Sequence, residues 1–379
     1  MRANVLTDAA LGRYAGRFVW LSVNTEAAAN AAFLKKYPIP VLPTLLVLDA
    51  KGDRVTMRYA GGASVAQLSK MLDNAERAYR ARTQSPADAL LVRADQLSTQ
   101  GKHLEAADAY DEAIAKAPKS WNGLGRAAES LVFSLTMASK NDRCAQRALA
   151  LYPRLKGTTS SANVAATGLS CALAADEEQK TRSDWTAALE KATRATFDDP
   201  RIELSGDDRA GLYGALIDAR EAAKDEAAAA QLRSEWAAFL EKAAGAAKTP
   251  SQRTAYDSWF VNAYLALGTP EKALPWLERS ERDFPDDYNP PARLALIYKA
   301  MKQYDQALAA SDRALAKVYG PRKLIVLSAR ADIQLAKGDK EAARQTIADA
   351  VAFAKSLPEG QRSEARIASL EKRLASMTQ

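Results

Sequence analysis

The sequence predicts a mainly α-helical protein: a long array of paired helices preceded by a short segment of mixed α/β character. Three observations carry this. Apolar residues make up 47% of the 379 residues but aromatics only 7%, which suits closely packed helices better than sandwiches or barrels. One frame, a turn residue followed by small side chains at fixed spacings, recurs four times. The first eighty residues alternate between helix-prone and β-rich runs.

The bulk numbers also exclude function classes. The length is too great for one ordinary core and implies two or three domains, or one repetitive domain. His103 is the only histidine, so a histidine-rich metal site is excluded. The formal charge is +7, but it is concentrated at one end. Residues 1–82 hold 12 basic and 6 acidic residues, leaving 41 basic and 40 acidic in the remainder. Neither region shows the basic stripe that nucleic acid requires. No run approaches the ~20 apolar residues of a membrane span, and no signal peptide follows Met1. The chain as given therefore predicts a cytoplasmic protein, or a periplasmic or exported one if an upstream signal peptide was lost. No cofactor is predicted.

The first eighty residues give an order α-β-α-β-β-α. Leu6 to Tyr14 is a short helical stretch, and residues 17–23, with the run Phe-Val-Trp-Leu, predict a strand. Residues 26–36 favour helix until Tyr37-Pro38 stops it. Pro43 to Asp49 reads as a buried strand, residues 50–53 as a turn, and Arg54 to Tyr59 as the returning strand of a hairpin. Ser64 to Arg80 is an amphipathic helix with Val65, Leu68, Met71, Leu72 and Ala75 inward.

This order resembles the thioredoxin fold. The segment YPIPVLPT (37–44) is similar to the thioredoxin stretch ending in a proline-threonine pair. LVLDAKGDRVTMRYAGGASVAQLSKML (46–72) looks like its closing hairpin, glycine and terminal helix. The resemblance implies that Pro43 is the cis-proline facing an active site, and that the backbone of Leu42 bonds a substrate polypeptide. It also implies a central strand and a C-x-x-C motif at a helix start, where the thiol pKa is lowered. Neither is present, so the domain is incomplete and nothing in the chain is catalytic. By the resemblance MRANVLTDAAL follows that motif, and the missing strand belongs between 17–23 and 44–48. The expectation is that Met1 is an internal methionine and that any redox centre lies upstream of it.

Residues 82–88 (RTQSPAD) read as a linker, and 89–379 as helix pairs. In residues 90–118 the frame is Gly101, Ala106, Tyr110, Ala113 and Pro118: a turn, small residues where helices touch, an aromatic filling the gap and a proline closing the second helix. It returns as Gly268, Ala273, Leu277, Ser280 and Pro285 within 256–289. Lys302, Ala307, Ser311, Ala314 and Tyr319 repeat it within 290–323, and Gly338, Ala343, Ile347, Ala350 and Lys355 within 324–358. The frame looks like the tetratricopeptide repeat. Residues 119–250 read as divergent helical hairpins of the same stack, or as a separate helical domain, with helices near 121–138, 142–152, 161–175, 183–196, 208–223 and 226–246.

Several residues invite a sharper reading. Cys144 and Cys171 lie equidistant from the bend near residue 157, so they stand at equal heights on neighbouring helices. They are small buried thiols, or a disulfide if the protein is exported. Asn289 is placed to cap a helix that Pro290 opens, and Pro275 falls inside a second helix, where it would kink it. Trp259 and Trp276 read as core, and His103 as an ordinary contact on a second helix. The tetratricopeptide resemblance implies a protein or peptide partner on a concave face made by first helices. It points to Asn262, Lys299 and Asp332 as groove residues beside Leu265, Leu296 and Leu335. The leading functional expectation is a thioredoxin-like thiol-disulfide protein with a protein-binding array. The alternative is a non-enzymatic scaffold or adaptor.

Overall fold

A computed structural model describes residues 5–49, 54–80, 85–176 and 181–377. In chain order a 3-10 turn (Ala9–Tyr14) precedes α1 (Ala31–Lys36), β1 (Thr44–Leu48), β2 (Val55–Ala60) and α2 (Val65–Arg80). There follow α3 (Pro86–Thr99), α4 (His103–Lys116), α5 (Leu124–Met137), α6 (Asn141–Leu155), α7 (Thr159–Leu173), α8 (Arg182–Phe197), α9 (Gly206–Ala222) and α10 (Glu226–Gly245). The rest is α11 (Pro250–Arg253), α12 (Asp257–Ala266), α13 (Leu274–Asp283), α14 (Asn289–Ala300), α15 (Tyr304–Leu315), α16 (Lys323–Lys337), α17 (Lys340–Ser356) and α18 (Glu364–Ser376). The chain is mainly helical and forms two compact units: Met1–Phe18 with Ile39–Arg233, and Val19–Pro38 with Ser234–Gln379.

In the first unit β1 and β2 pair antiparallel, Thr44 opposite Ala60 and Leu45 opposite Tyr59. The expected hairpin turn, residues 50–53, lies outside the described residues. The predicted inward face of α2 is buried at Leu68, Met71, Leu72 and Ala75, packed with Tyr14, Met57 and Tyr59. Among the described residues the sheet has only these two strands, and they do not show a thioredoxin-like α/β domain. Residues 17–23 are not a strand: Val19 and Leu21 are 89% and 78% exposed. A strand exists only against a partner, and none of the described residues supplies the neighbour that this run needs.

From α3 the helices stack in sequence. α3 packs on α4 and α4 on α5, α5 meets both α6 and α7, and α7 meets both α8 and α9. Neighbours at one and two removes are the pattern of antiparallel pairs in a tetratricopeptide-like array. Of the expected linker, residues 81–84 are outside the described set. Its second half is already helix: Ser85 accepts from the backbone N–H of Asp88, and Pro86 opens α3. Tyr110, the gap-filling aromatic, is 1% exposed and donates to Asp95 of α3 at 2.7 Å.

The hairpin lies on the first helices of this unit. Gln96 donates to the carbonyl of Val55 at 3.1 Å, and Arg126 of α5 to that of Arg58 at 3.2 Å. The Arg58 side chain is 2% exposed. Burial pushes its pKa down, while Tyr110 and Asp95 pull it back up. Beside it, Tyr59 and Gln67 both donate to the buried Glu129 of α5. One face of the array is thereby covered by the chain's own extended segment.

In the second unit α12 packs on α14, α14 on α15 and α16, α16 on α17, and α17 on α18. Pro275 does not kink a helix. A 3-10 turn, Pro270–Ala273, precedes α13, which places Pro275 in its first turn, where no intrahelical bond is lost. Asn289 is the first residue of α14 rather than its cap; Asp287 accepts from its backbone N–H at 2.9 Å. Trp276 stacks on the core residue Phe260, centroids 4.7 Å apart, and Trp259 meets Trp236 edge-on.

Residues 19–38 belong to this second unit. Ala31, Leu34 and Tyr37 are buried, and Asn24 donates to the Tyr319 hydroxyl at 2.8 Å. Gln361 donates to the carbonyls of Thr25 and Ala27, and Lys35 pairs with Glu359 at 2.8 Å. The segment therefore lies across the turns that precede α16 and α18. Glycine is needed there: a Cβ at Gly320 would meet the Glu26 carbonyl at 2.3 Å, and one at Gly360 the Ala31 carbonyl at 1.9 Å.

Candidate functional site

The first helices α12, α14 and α16 of the second unit lie side by side, and each carries an exposed leucine. Leu265, Leu296 and Leu335 are 39%, 38% and 38% exposed. Helical spacing places them there, because each lies eight or eleven residues before the buried anchor alanine of its pair, Ala273, Ala307 or Ala343. Single exposed leucines are ordinary; a series on adjacent helices beside a cavity is a surface. That cavity, about 200 Å³, opens between α14 and α16. Ala292, Leu296, Ile325, Val326 and Ala329 make its apolar walls, and Asn289, Arg293, Arg322 and Tyr288 stand around it. Ser311 of α15 also lines it, 1% exposed, its hydroxyl without a hydrogen-bond partner.

The charges beside the cavity come from both sides. Glu26 accepts from the backbone N–H of Arg322 at 2.8 Å and meets its guanidinium at 3.5 Å. Its carboxylate sits at the N-terminal end of α16, where unpaired N–H groups favour an anion. Arg293 approaches Asp257 of α12 at 3.8 Å. Asp257 is 1% exposed and its Oδ1 accepts from Ser280 at 3.1 Å. Ser280 in turn accepts from Arg253 at 3.3 Å, which also pairs with Asp283. Burial pushes the Asp257 pKa up to about 6 against the pull of Ser280 and Arg293. Burial likewise raises Tyr288.

The residues proposed from sequence fall in different places. Asn262 on α12 is exposed and Lys299 on α14 is half-buried. Asp332 on α16 accepts from Arg373 of α18 at 2.5 Å, with its side chain still 46% exposed. The cavity brings none of these three to its walls; the frame residue Ser311 is the signal that could have located it. The Leu42–Pro43 peptide bond is cis, with Leu42 47% exposed. Cys144 and Cys171 are joined as a disulfide with Cα atoms 6.0 Å apart. The Thr136 hydroxyl lies 3.3 Å from the Cys171 sulfur. His103 opens α4 and meets Phe133 edge-on, and its pKa is lowered by burial and by Arg58. Among the described residues no group of three or more His, Cys, Asp or Glu could hold a metal, and no helix is long and apolar enough to cross a membrane.

No family model matches the chain, and no curated protein matches it. Solved structures do. A tetratricopeptide repeat protein from Parabacteroides merdae is 13% identical over 76% of this chain and 98% of its own, with a TM-score of 0.46. The assembly chaperone of RpL4 (Acl4) is 14% identical over 78% and 98%, TM-score 0.37. A thermophilic tetratricopeptide protein of Thermus thermophilus is 16% identical over 77% and 98%, TM-score 0.28. Likenesses at this level say nothing of function. The description the chain supports rests on its own helix pairs: a tetratricopeptide-like array whose second unit leaves its first-helix face open.

Proposed function

We propose that the protein is a non-enzymatic scaffold or adaptor that grips an extended segment of a protein partner on the concave, first-helix face of its second unit. The observation that carries this is the exposed series Leu265, Leu296 and Leu335 beside an apolar cavity. The first unit offers a parallel. There the same kind of face is filled by β2, whose carbonyls accept from Gln96 and Arg126. Asn262 and Lys299 supply polar edges to the open face. Leu265→Asp with Leu335→Asp places charge on the face without altering a residue that lines the cavity. The double variant is expected to lose at least tenfold of the co-purifying partner from the native host while keeping wild-type helicity by circular dichroism. Retention of the partner at the wild-type level would remove this reading.

A second reading has one observation in its favour. β1 (TLLVL) is almost wholly apolar, as strands paired and covered on both sides are, yet it pairs only with β2 among the described residues. A further strand, preceding Met1 in the natural protein and followed by a C-x-x-C, would complete a thioredoxin-like sheet. Leu42 and Pro43 would then contact a thiol-disulfide substrate. Peptide mapping of the protein from its native host decides: a mature chain with no such strand and cysteine pair ends the redox reading.

A further inference from the structure

In three of the four framed repeats, the position four residues after the anchor alanine holds a large side chain that fills the space between helices. These are Tyr110, Leu277 and Ile347, none more than 1% exposed. In the pair α14–α15 that position is Ser311. Serine is far too small to fill the same space, and the cavity of about 200 Å³ lies against it. Two features go against simple packing. Interiors are close-packed, with few voids, and buried hydroxyls are almost always hydrogen-bonded. Here a cavity open to the surface reaches down to that position, and among the described residues the Ser311 hydroxyl on its wall has no partner. The other walls do not close it, since Ala292 and Ala329 are small and Ile325 is 49% exposed.

We infer that this cavity receives one side chain of the partner, a leucine- to tyrosine-sized residue with an acidic residue beside it in an extended segment. The vacancy corresponds to the side chain that the sister repeats supply from within. Arg293 and Arg322 stand beside it, and their guanidinium contacts with Asp257 and Glu26 are long, 3.8 and 3.5 Å, so both keep positive charge to attract a neighbouring carboxylate. The first unit shows that an extended segment lying on first helices can bury a large side chain, Arg58, while its main chain is held by Gln96 and Arg126. This inference rests on the scaffold reading above and names the feature of the partner that the face recognises.

The test uses a phage-displayed random peptide library panned on the full chain. Enriched peptides are expected to share one leucine, phenylalanine or tyrosine next to Asp or Glu. Synthetic copies are expected to lose at least tenfold in affinity for Ser311→Leu, which fills the cavity from within and raises the thermal midpoint. Ala329→Leu, filling it from another wall, serves as a second variant should the first fail to fold. Enrichment without a large apolar residue, or unchanged affinity for both filled variants, overturns the inference. If the filled variants bind normally while Leu265→Asp with Leu335→Asp does not, the face stands and the cavity assignment falls. No enriched binder at all counts against both.

Discussion

Asp257 is a carboxylate that the fold holds at a cost. Its Oδ1 has Ser280 as donor, its Oδ2 has no hydrogen bond, and Arg293 stands 3.8 Å away. Its folded-state pKa of about 6 lies above the ordinary value of 3.8, so the folded chain binds this proton more tightly than the unfolded chain. Stability from this group therefore rises as pH falls through 6 towards 4, by something on the order of 2–3 kcal/mol. Denaturant titrations of the wild type and Asp257→Asn across that range should show the difference in stability moving towards the wild type as pH falls. Parallel pH profiles would contradict it. Residue identities carried part of this story in advance. Ser311 and Ser280 both stand in the repeat frame, but a serine in a frame reads as a small packing residue. That one leaves a cavity and the other bonds a buried carboxylate depends on contacts between distant helices.

At the scale of elements, the turns explain both what was legible and what was not. The left-handed residue between the helices of a pair lies two positions before the second helix begins: Gly101 before His103, Gly268 before Pro270, Gly338 before Lys340. The same geometry recurs with Ser139 before α6, Lys224 before α10 and Lys302 before α15, at φ of 54°, 57° and 60°. Without glycine the turns at 139 and 224 carry no sequence signal, so the helices of 119–250 were placed well but their repeat frame was hidden. Cys144 is the fourth residue of α6, as Ala106 is of α4 and Ala307 of α15; the small side chain of a disulfide-bonded cysteine satisfies the same close approach. L-residues pay to adopt this conformation. Lys302→Gly should therefore raise the unfolding free energy by about 0.5–1 kcal/mol, read as a higher denaturant midpoint at an unchanged slope. A lower midpoint would mean that the lysine side chain supplies more than the turn costs. The misread strand at 17–23 is the opposite case. β-propensity was read correctly as composition, but a ladder requires a partner that no local pattern reveals.

At the scale of the molecule, the two units each present a face of first helices, and among the described residues only that of the first unit is filled from within the chain. β2 covers the face of the first unit, whereas in the second unit residues 19–38 lie over the turns before α16 and α18. No local periodicity could assign those residues to turns about three hundred positions or more away. The helical array itself was legible because spacing fixes which side chains face inward. The open face was legible only as a set of candidate positions, of which Asp332 proved to be held by Arg373. A partner is proposed to bind the open first-helix face of the second unit. The most direct measurement is site-specific photo-crosslinking in the native host, with the reactive group placed at Leu296 and, as a control, at exposed Ala309 on the second helix of the same pair. One protein crosslinked from position 296 and absent from position 309 is the expected result. Equal crosslinking from both positions, or from position 309 alone, would contradict it.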